Sequence, residues 1–417
     1  MIDIELINKC EAQLNEKFKM LEEIALYNQE KVLNAFKNNR LALRHFAGTT
    51  GYGYGDDGRD TLNTVVADIF KAESAICTPN IVSGTHALSL CLYGVLRPGD
   101  KTLCVSGKPY DTLADVIWGE DNGSLKDYGI TFDVVDLKDG NIDKDAISEY
   151  FANNEQPKMI YLQRSRGYEW RDALSIEDIK DAVDFVKSLN FNGCIMLDNC
   201  YGEFIEKREA IEVGVNLLAG SMIKNIGGGI APTGGYVVGD KKYVDMVQNR
   251  LTAPSIGGEV GSYAYGYQYF YQGLFLAPHV TLQAVKGSML FGAVLEQLGY
   301  ETSPSLDKMP ADIIRAIKFG NADDLISFIQ AIQANSPIDS HVLALPWAMP
   351  GYEDEVIMAA GCFVQGSSIE LSCDGPLREP YIAYQQGSLT YGYGIFTRWV
   401  DLRTLQNCTQ KFKIKVI

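Results

Sequence analysis

Two short motifs place residues capable of chemistry at the ends of predicted strands. Asp198 closes an apolar run at residues 194–197, and Lys224 follows a second apolar run at residues 217–219. Both runs are typical of buried strands. The carboxyl ends of neighbouring parallel strands meet at one edge of a sheet, so we expect the acid and the lysine to lie close together.

A lysine facing a carboxylate is the arrangement that a pyridoxal 5′-phosphate (PLP) site needs. Lys224 would bind the aldehyde carbon, and Asp198 would hold a proton on the ring nitrogen. Taken singly, each residue is more often structural than functional, because most lysines are surface charges and most strand-end aspartates form caps or turns. The pair gains weight because other parts of such a site occur in the expected order along the chain.

The first of these parts is a candidate phosphate site. Ser83, Gly84 and Thr85 lie between a predicted strand and a predicted helix. Small residues leave the amide groups of a helix N-terminus free to bind an anion. Ser221, three residues before Lys224, is placed to reach the same phosphate. The alternative is an ordinary N-cap by Ser83.

Three further side chains are candidates for ring and phosphate contacts. Tyr110 follows another predicted strand, where an aromatic ring could stack on a flat cofactor. The glycine-rich loop at residues 51–59 carries Tyr54 and Arg59, which could be presented to a phosphate. The alternatives are a core or rim tyrosine and a surface turn.

Arg378 is a candidate for binding the substrate. It lies in a Gly-Pro-Leu-Arg-Glu segment near the end of the chain. Arginine binds carboxylates through two parallel hydrogen bonds, so Arg378 could hold the carboxylate of an amino acid. A salt bridge to Glu379 or another acid is the alternative.

Composition excludes several classes of protein. A net charge of −16 and no basic run argue against nucleic acid as a partner. No unbroken run of 18 apolar residues occurs, so no membrane association is expected. The nine scattered cysteines form no Cys-x-x-Cys pair, which favours a reducing cytoplasm. None of the four histidines lies in a zinc motif, and no metal site is predicted.

The pattern of elements predicts an α/β protein with a mostly parallel, wound sheet. Residues 4–39 form one or two amphipathic helices, and helical and extended segments alternate from about residue 58. Residues 258–298 and 312–334 are predicted helical, the second either continuous or broken at Gly320. Strands are expected at 356–363 and 368–372, and a last helix near residue 379. The predicted division is a helical arm at 1–45, a large domain at 46–290 and a smaller α+β domain at 291–417.

Four segments together resemble one family of PLP enzymes. They are residues 52–60 (YGYGDDGRD), 83–87 (SGTHA), 163–168 (QRSRGY) and 198–204 (DNCYGEF). The chain resembles the methionine γ-lyase-like group of fold type I, also described as aluminium resistance proteins and as cystathionine β-lyases. The resemblance covers nearly the whole sequence.

The resemblance implies dimers, paired into tetramers, with an active site shared between subunits. In related transsulfuration enzymes, a tyrosine and an arginine of the neighbouring subunit hold the phosphate. Tyr54 and Arg59 match them, although Tyr52 could replace Tyr54. Those relatives carry a threonine immediately before the lysine, and here Ile223 replaces it. One phosphate contact is therefore lost.

The expected function is that of a PLP-dependent carbon–sulfur lyase acting on a sulfur-containing amino acid by β- or γ-elimination. Lys224 would hold PLP and take the α-proton, and Tyr110 would stack on the ring and protonate the leaving thiol. One alternative is another PLP reaction of amino acids, such as aldol cleavage or transamination. The other is a protein that binds PLP without catalysis.

Overall fold

The computed structural model describes residues 4–394 of the chain. Its helices are α1 Ile4–Asn38, α2 Asp57–Phe70, α3 Gly84–Val95, α4 Asp111–Trp118, α5 Lys144–Asn153, α6 Ile176–Ser188, α7 Lys241–Leu251, α8 Gln268–Gln297 and α9 Ala322–Ala334. Its strands are β1 Ser74–Thr78, β2 Lys101–Cys104, β3 Thr131–Val134, β4 Leu137–Lys138, β5 Asn141–Ile142, β6 Met159–Gln163, β7 Cys194–Asp198, β8 Leu217–Ser221, β9 Gly235–Gly239, β10 Glu301–Ser303, β11 Ile314–Lys318, β12 Val356–Ala359, β13 Ser372–Pro376 and β14 Ile382–Gln386.

The central sheet has the strand order β1-β9-β8-β7-β6-β2-β3. From β3 to β8 all neighbouring strands are parallel, whereas β9 runs antiparallel to both β8 and β1. Strands β6 to β9 are buried throughout, because apolar cores cover both faces of the sheet. Ile195 and Leu197 belong to one core, and Cys194 and Met196 to the other. The mostly parallel, wound α/β sheet is confirmed.

A second, antiparallel sheet lies in the C-terminal part, in the order β10-β11-β14-β13-β12. One face packs on a core that α8, α9 and the start of α1 share, with Ile317, Ala383 and Cys373 as its strand residues. The opposite face carries Ile314 and Tyr384, which pack with Tyr168 of the large domain. The second sheet therefore closes over the carboxyl edge of the first.

Three predicted elements of this second sheet are wrong. Residues 314–318 form β11 and not a helix, and α9 begins only at Ala322, after the N-cap Asn321. The strand predicted at 368–372 lies at 372–376, and the segment after residue 379 forms β14 and not a helix. Antiparallel pairing of β14 with both β11 and β13 overrides the local helical preference.

The helix predicted at residues 258–298 begins ten residues late. Gly261 and Gly266 adopt positive φ angles of 121° and 75°, which a helix does not allow. The main chain here instead bonds to the early glycine-rich loop, and Gly261 N–H donates to Tyr52 O at 3.0 Å. These contacts tie the 257–267 segment to the loop that carries Tyr54.

Helix α8 is continuous across the two parts of the chain. Its residues up to Ala277 pack in the core of the large sheet, and those from Val280 onward pack with the antiparallel sheet. The domain boundary at residue 290 stays a prediction. The N-terminal arm is a single helix of 35 residues that packs on α8. Among residues 4–394, no helix is long and apolar enough to cross a bilayer.

Candidate active site

The carboxyl ends of β7 and β8 bring the predicted acid and lysine to one edge of the sheet. Asp198 is paired in register with Ala219 of β8, and Lys224 follows the end of β8 by three residues. Both residues line one pocket, together with Tyr110. The structure therefore brings together the three side chains on which the predicted chemistry depends.

Lys224 lies among groups that favour its positive charge. Its Nζ is 3.8 Å from the ring centre of Tyr201, a close cation–π contact. Burial by itself lowers the pKa of Lys224, but Cys200, Tyr201 and Asp198 together outweigh it and raise the pKa. In the protein alone, the lysine is therefore an ammonium group facing an aromatic ring.

Asp198 is fixed by its own turn. It is 6% exposed, and its Oδ1 accepts a hydrogen bond from Cys200 N–H at 3.0 Å. A carboxylate so buried needs a cationic partner, because burial of an unpaired charge is costly. A protonated ring nitrogen would be such a partner.

Tyr110 is the N-cap of α4 and is held by a hydrogen bond to the last residue of β6. Its N–H donates to Gln163 Oε1 at 2.7 Å, and its hydroxyl lies 2.6 Å from that of Tyr352. Gly167 has a φ of 58°, and a Cβ there would lie 3.2 Å from the Tyr110 ring. Burial, followed by the nearby Asp374, raises the pKa of Tyr110. Its hydroxyl therefore keeps its proton at neutral pH.

The N-terminus of α3 lies beside the lysine loop. A Cβ at Gly84 would stand 3.4 Å from Ser221 Cβ and 3.5 Å from Cys200 Sγ. Ser83 caps the helix, since its Oγ accepts from His86 N–H at 3.0 Å. The Thr85 hydroxyl lies 3.1 Å from that of Thr112 in α4. The candidate phosphate residues thus adjoin the end of β8, and Ser83 has a capping contact.

Tyr54 and Arg59 do not reach this pocket within the chain. Tyr54 is 68% exposed. Arg59 is buried, with Nη1 donating to Gly53 O at 3.1 Å and Nε bonded to Asp60 at 2.8 Å. It lines a different cavity of about 280 Å³, which His86 of α3 also lines. Their phosphate role stays a prediction.

Arg378 forms the salt bridge that was its alternative role. Its Nη1 lies 3.0 Å from Asp354 Oδ2, and Glu379 is not its partner in that bond. Arg378 is not among the residues that line the Lys224 pocket. Binding of a substrate carboxylate stays a prediction, and it requires release from Asp354.

Sequence reasoning missed the polar residues behind the pocket. Glu203 is fully buried, and its Oε1 accepts from Tyr236 O–H at 2.6 Å. Asn199 Nδ2 donates to the same Tyr236 oxygen, at 3.3 Å, and Asn225 Nδ2 donates to Glu203 O. Burial raises the pKa of Glu203 to about 7. Asn199 and Asn225 each follow a candidate catalytic residue, so this network fixes both turns.

The C-terminal sheet adds a second set that the sequence analysis did not identify. Asp374 of β13 and Gln386 of β14 line the Lys224 pocket, and so does Tyr168. Asp374 accepts hydrogen bonds from both of the others. The sequence feature that could have identified Asp374 is that it is the one acid in the otherwise uncharged strand β13. The sequence analysis predicted that strand at residues 368–372 instead of 372–376.

The residues present fit PLP. A helix N-terminus with Gly84, Thr85 and Ser221 offers donors to a phosphate. A buried carboxylate, an aromatic side chain and a lysine, the three groups that a PLP ring and aldehyde need, line the adjoining pocket.

Comparison with known proteins supports the fold and the family resemblance. A family profile described as methionine gamma-lyase matches residues 3–397. A Listeria innocua structure, described as a candidate cystathionine beta-lyase involved in aluminium resistance, is 48% identical. It has a TM-score of 0.93 and covers 97% of this chain and 99% of its own.

Two other structures extend the comparison. A carbon–sulfur lyase involved in aluminium resistance from Clostridium novyi is also 48% identical, with a TM-score of 0.91 over 96% of this chain and 94% of its own. The PLP-dependent protein YhfS from Escherichia coli is 17% identical, with a TM-score of 0.63 over 93% of this chain and 97% of its own. The last likeness shows the fold alone, that of fold type I.

Proposed function

The chain belongs to the methionine gamma-lyase family, and from this premise we propose that it is a PLP-dependent carbon–sulfur lyase acting on a sulfur-containing amino acid. The observation that carries the proposal is the single pocket that Lys224, Asp198 and Tyr110 line beside the N-terminus of α3. The reaction is a β- or γ-elimination that releases a thiol.

Each of these residues has a distinct task. Bound PLP supplies an electron sink for negative charge on the substrate's α-carbon. The Asp198 carboxylate holds a proton on the ring nitrogen by charge. The neutral Nζ of Lys224, once free of the aldehyde carbon, takes the α-proton. The Tyr110 hydroxyl, which keeps its proton at neutral pH, gives it to the departing sulfur.

Two contacts of the proposed site come from outside the pocket. Arg378 binds the substrate carboxylate after leaving Asp354, an exchange of one carboxylate for another. Tyr54 and Arg59 serve the phosphate of a neighbouring subunit. The exposure of Tyr54 and the separation of Arg59 from the Lys224 pocket support this assignment. The functional unit is then a homodimer or a pair of dimers.

The test is to incubate the purified, PLP-loaded protein with cystathionine, cysteine and methionine in turn. A lyase releases thiol, 2-oxo acid and ammonia in equal amounts at a steady rate. An aldolase releases an aldehyde and an aminotransferase needs a 2-oxo acid acceptor, so both are separated by product. A typical PLP absorbance with no turnover of any sulfur amino acid would contradict the proposal.

A further inference from the structure

The aromatic ring that faces Lys224 belongs to the turn after β7. Tyr201 stands three residues after Asp198 and lines the Lys224 pocket. The Nζ of Lys224 lies 3.8 Å from the centre of the Tyr201 ring. Within the described residues 4–394 this Nζ forms no salt bridge, although Asp198 lines the same pocket. The proposed reaction, as far as it is described above, gives Tyr201 no task.

The backbone of Tyr201 is strained. Its φ is 72°, in the left-handed region that a bulky residue seldom adopts. Such a conformation persists where the surrounding groups determine it, and it is common at functional sites. The fully buried Asn225, which follows Lys224, holds it: Asn225 Nδ2 donates to Tyr201 O and to Glu203 O, both at 3.0 Å. The turn that carries the lysine therefore also fixes the ring that its amine faces.

The proposed reaction makes this contact useful at one step. While the substrate occupies the aldehyde carbon, Lys224 is free and takes the α-proton as a neutral amine. The C–H bond breaks, an N–H bond forms, and a positive charge appears on Nζ. The negative face of an aromatic ring attracts a cation, and the attraction is stronger in a site that is shielded from water. A ring fixed at this distance therefore favours the ammonium over the neutral amine.

We propose that Tyr201 is a catalytic residue whose ring holds the Lys224 ammonium during the elimination. The inference rests on the proposed lyase function. When the C–S bond breaks, Tyr110 gives its proton to sulfur. The ammonium then loses one proton and the Tyr110 oxygen gains one, so Lys224 is neutral again before it bonds to the aldehyde carbon. The thiol carries away one proton for the α-proton taken up, and no co-reactant is needed.

Fluorination of the ring tests the contact with little change of shape. Tyr201→Phe is compared with its mono-, di- and trifluorinated forms, in which the negative face of the ring weakens in steps. The first measurement uses cofactor-free protein and follows, by peptide mass, the rate at which acetic anhydride labels Lys224. Only the neutral amine reacts, and a weaker ring lowers the pKa of Lys224. We expect labelling about tenfold faster in the trifluorinated form than in Tyr201→Phe.

Tyr243 provides the matched control. It is buried in α7, and the Nζ of Lys242 lies 4.4 Å from its ring centre. It has the same kind of contact but does not line the Lys224 pocket. The same series at Tyr243 should leave the labelling of Lys224 unchanged. Equal labelling of Lys224 across the Tyr201 series would overturn the proposal.

Steady thiol release by the PLP-loaded proteins gives the second measurement. We expect kcat to fall in steps along the Tyr201 series, about tenfold from Tyr201→Phe to its trifluorinated form. KM should change little, because the ammonium forms only after the substrate has bound. The same kcat in all members of the series would overturn the catalytic role. Absence of thiol release from the wild type would instead contradict the lyase function, on which the labelling measurement does not depend.

Discussion

The two sheets place their polar residues in opposite ways. In the central sheet, β7 and β8 are buried along their whole length, and their chemistry stands at or beyond the carboxyl ends, as Asp198 and Lys224. In the C-terminal sheet, buried polar residues lie within the strands, as Arg315, Asp374 and Gln385. A parallel strand with apolar cores on both faces has room for polar groups only at its ends.

The C-terminal sheet has a different environment on each face. Asp374 is paired in register with Tyr384, so both side chains point to the same side, toward the pocket. Cys373 and Ala383 point to the apolar core on the other side. The first sheet therefore supplies the cofactor residues at an edge, and the second closes the pocket with the polar side of a face.

The largest expected effect is at the edge of the central sheet. Asp198→Ala removes the charge beside the ring nitrogen, and we expect kcat for thiol release to fall at least about a hundredfold. Asp133→Ala, a change of a half-buried aspartate in the edge strand β3, should keep nearly normal turnover. Equal turnover of Asp198→Ala and the wild type would remove Asp198 from the site.

A smaller effect is expected on the stability of the second sheet. The pKa of Asp374 is raised to about 6 in the folded protein, so the native state binds its proton more tightly than the unfolded chain. Its contribution to stability is therefore lost as the pH rises from about 4 to 6. We compare the free energy of unfolding of Asp374→Asn with that of the wild type. The variant's value minus the wild-type value should be about 2 kcal/mol larger at pH 8 than at pH 4.

Urea unfolding of cofactor-free protein at the two pH values measures this difference, since bound ligand would add its own stability. If the difference between Asp374→Asn and the wild type is the same at both pH values, the carboxyl does not titrate between them. Ionisation of Asp374 would then not destabilise the folded protein, and the contrast between the two sheets would be weaker.

The smallest effect concerns the phosphate. Arg59→Ala should weaken retention of PLP about tenfold, because one charge-assisted bond is lost. Mixing Arg59→Ala with Lys224→Ala subunits should restore about a quarter of wild-type activity, since half of the dimers are hybrids with one complete site. Fully exchanged hybrids without activity, or an active monomer by light scattering, would exclude a shared site.

What could be predicted from the sequence follows the same division. Apolar runs at 194–197 and 217–219 marked β7 and β8, and the residues after them were recognised because a polar group at a strand end stands out. Strand β11 mixes Arg315 and Lys318 with apolar residues, a pattern compatible with a helix. Its pairing with β10 and β14 is long-range, and no local signal encodes it.

The site residues of the central sheet were predicted, as its strands were, and those of the second sheet were not. Lys224, Asp198 and Tyr110 were placed by strand ends and the PLP chemistry. Asp374 lines the pocket only because the second sheet packs on the first, and it lies 150 residues beyond Lys224 along the chain. The Arg378–Asp354 salt bridge had been left as one of two outcomes, since sequence alone does not decide between partners.

The covalent position of PLP is the most direct test of the account. The protein is reduced with borohydride, digested, and its peptides are mapped by mass. The account predicts the added mass of the reduced cofactor on Lys224, and none in Lys224→Ala. Cofactor mass on any other lysine of the wild type, or a bound cofactor that leaves no covalent mass after reduction, would contradict it.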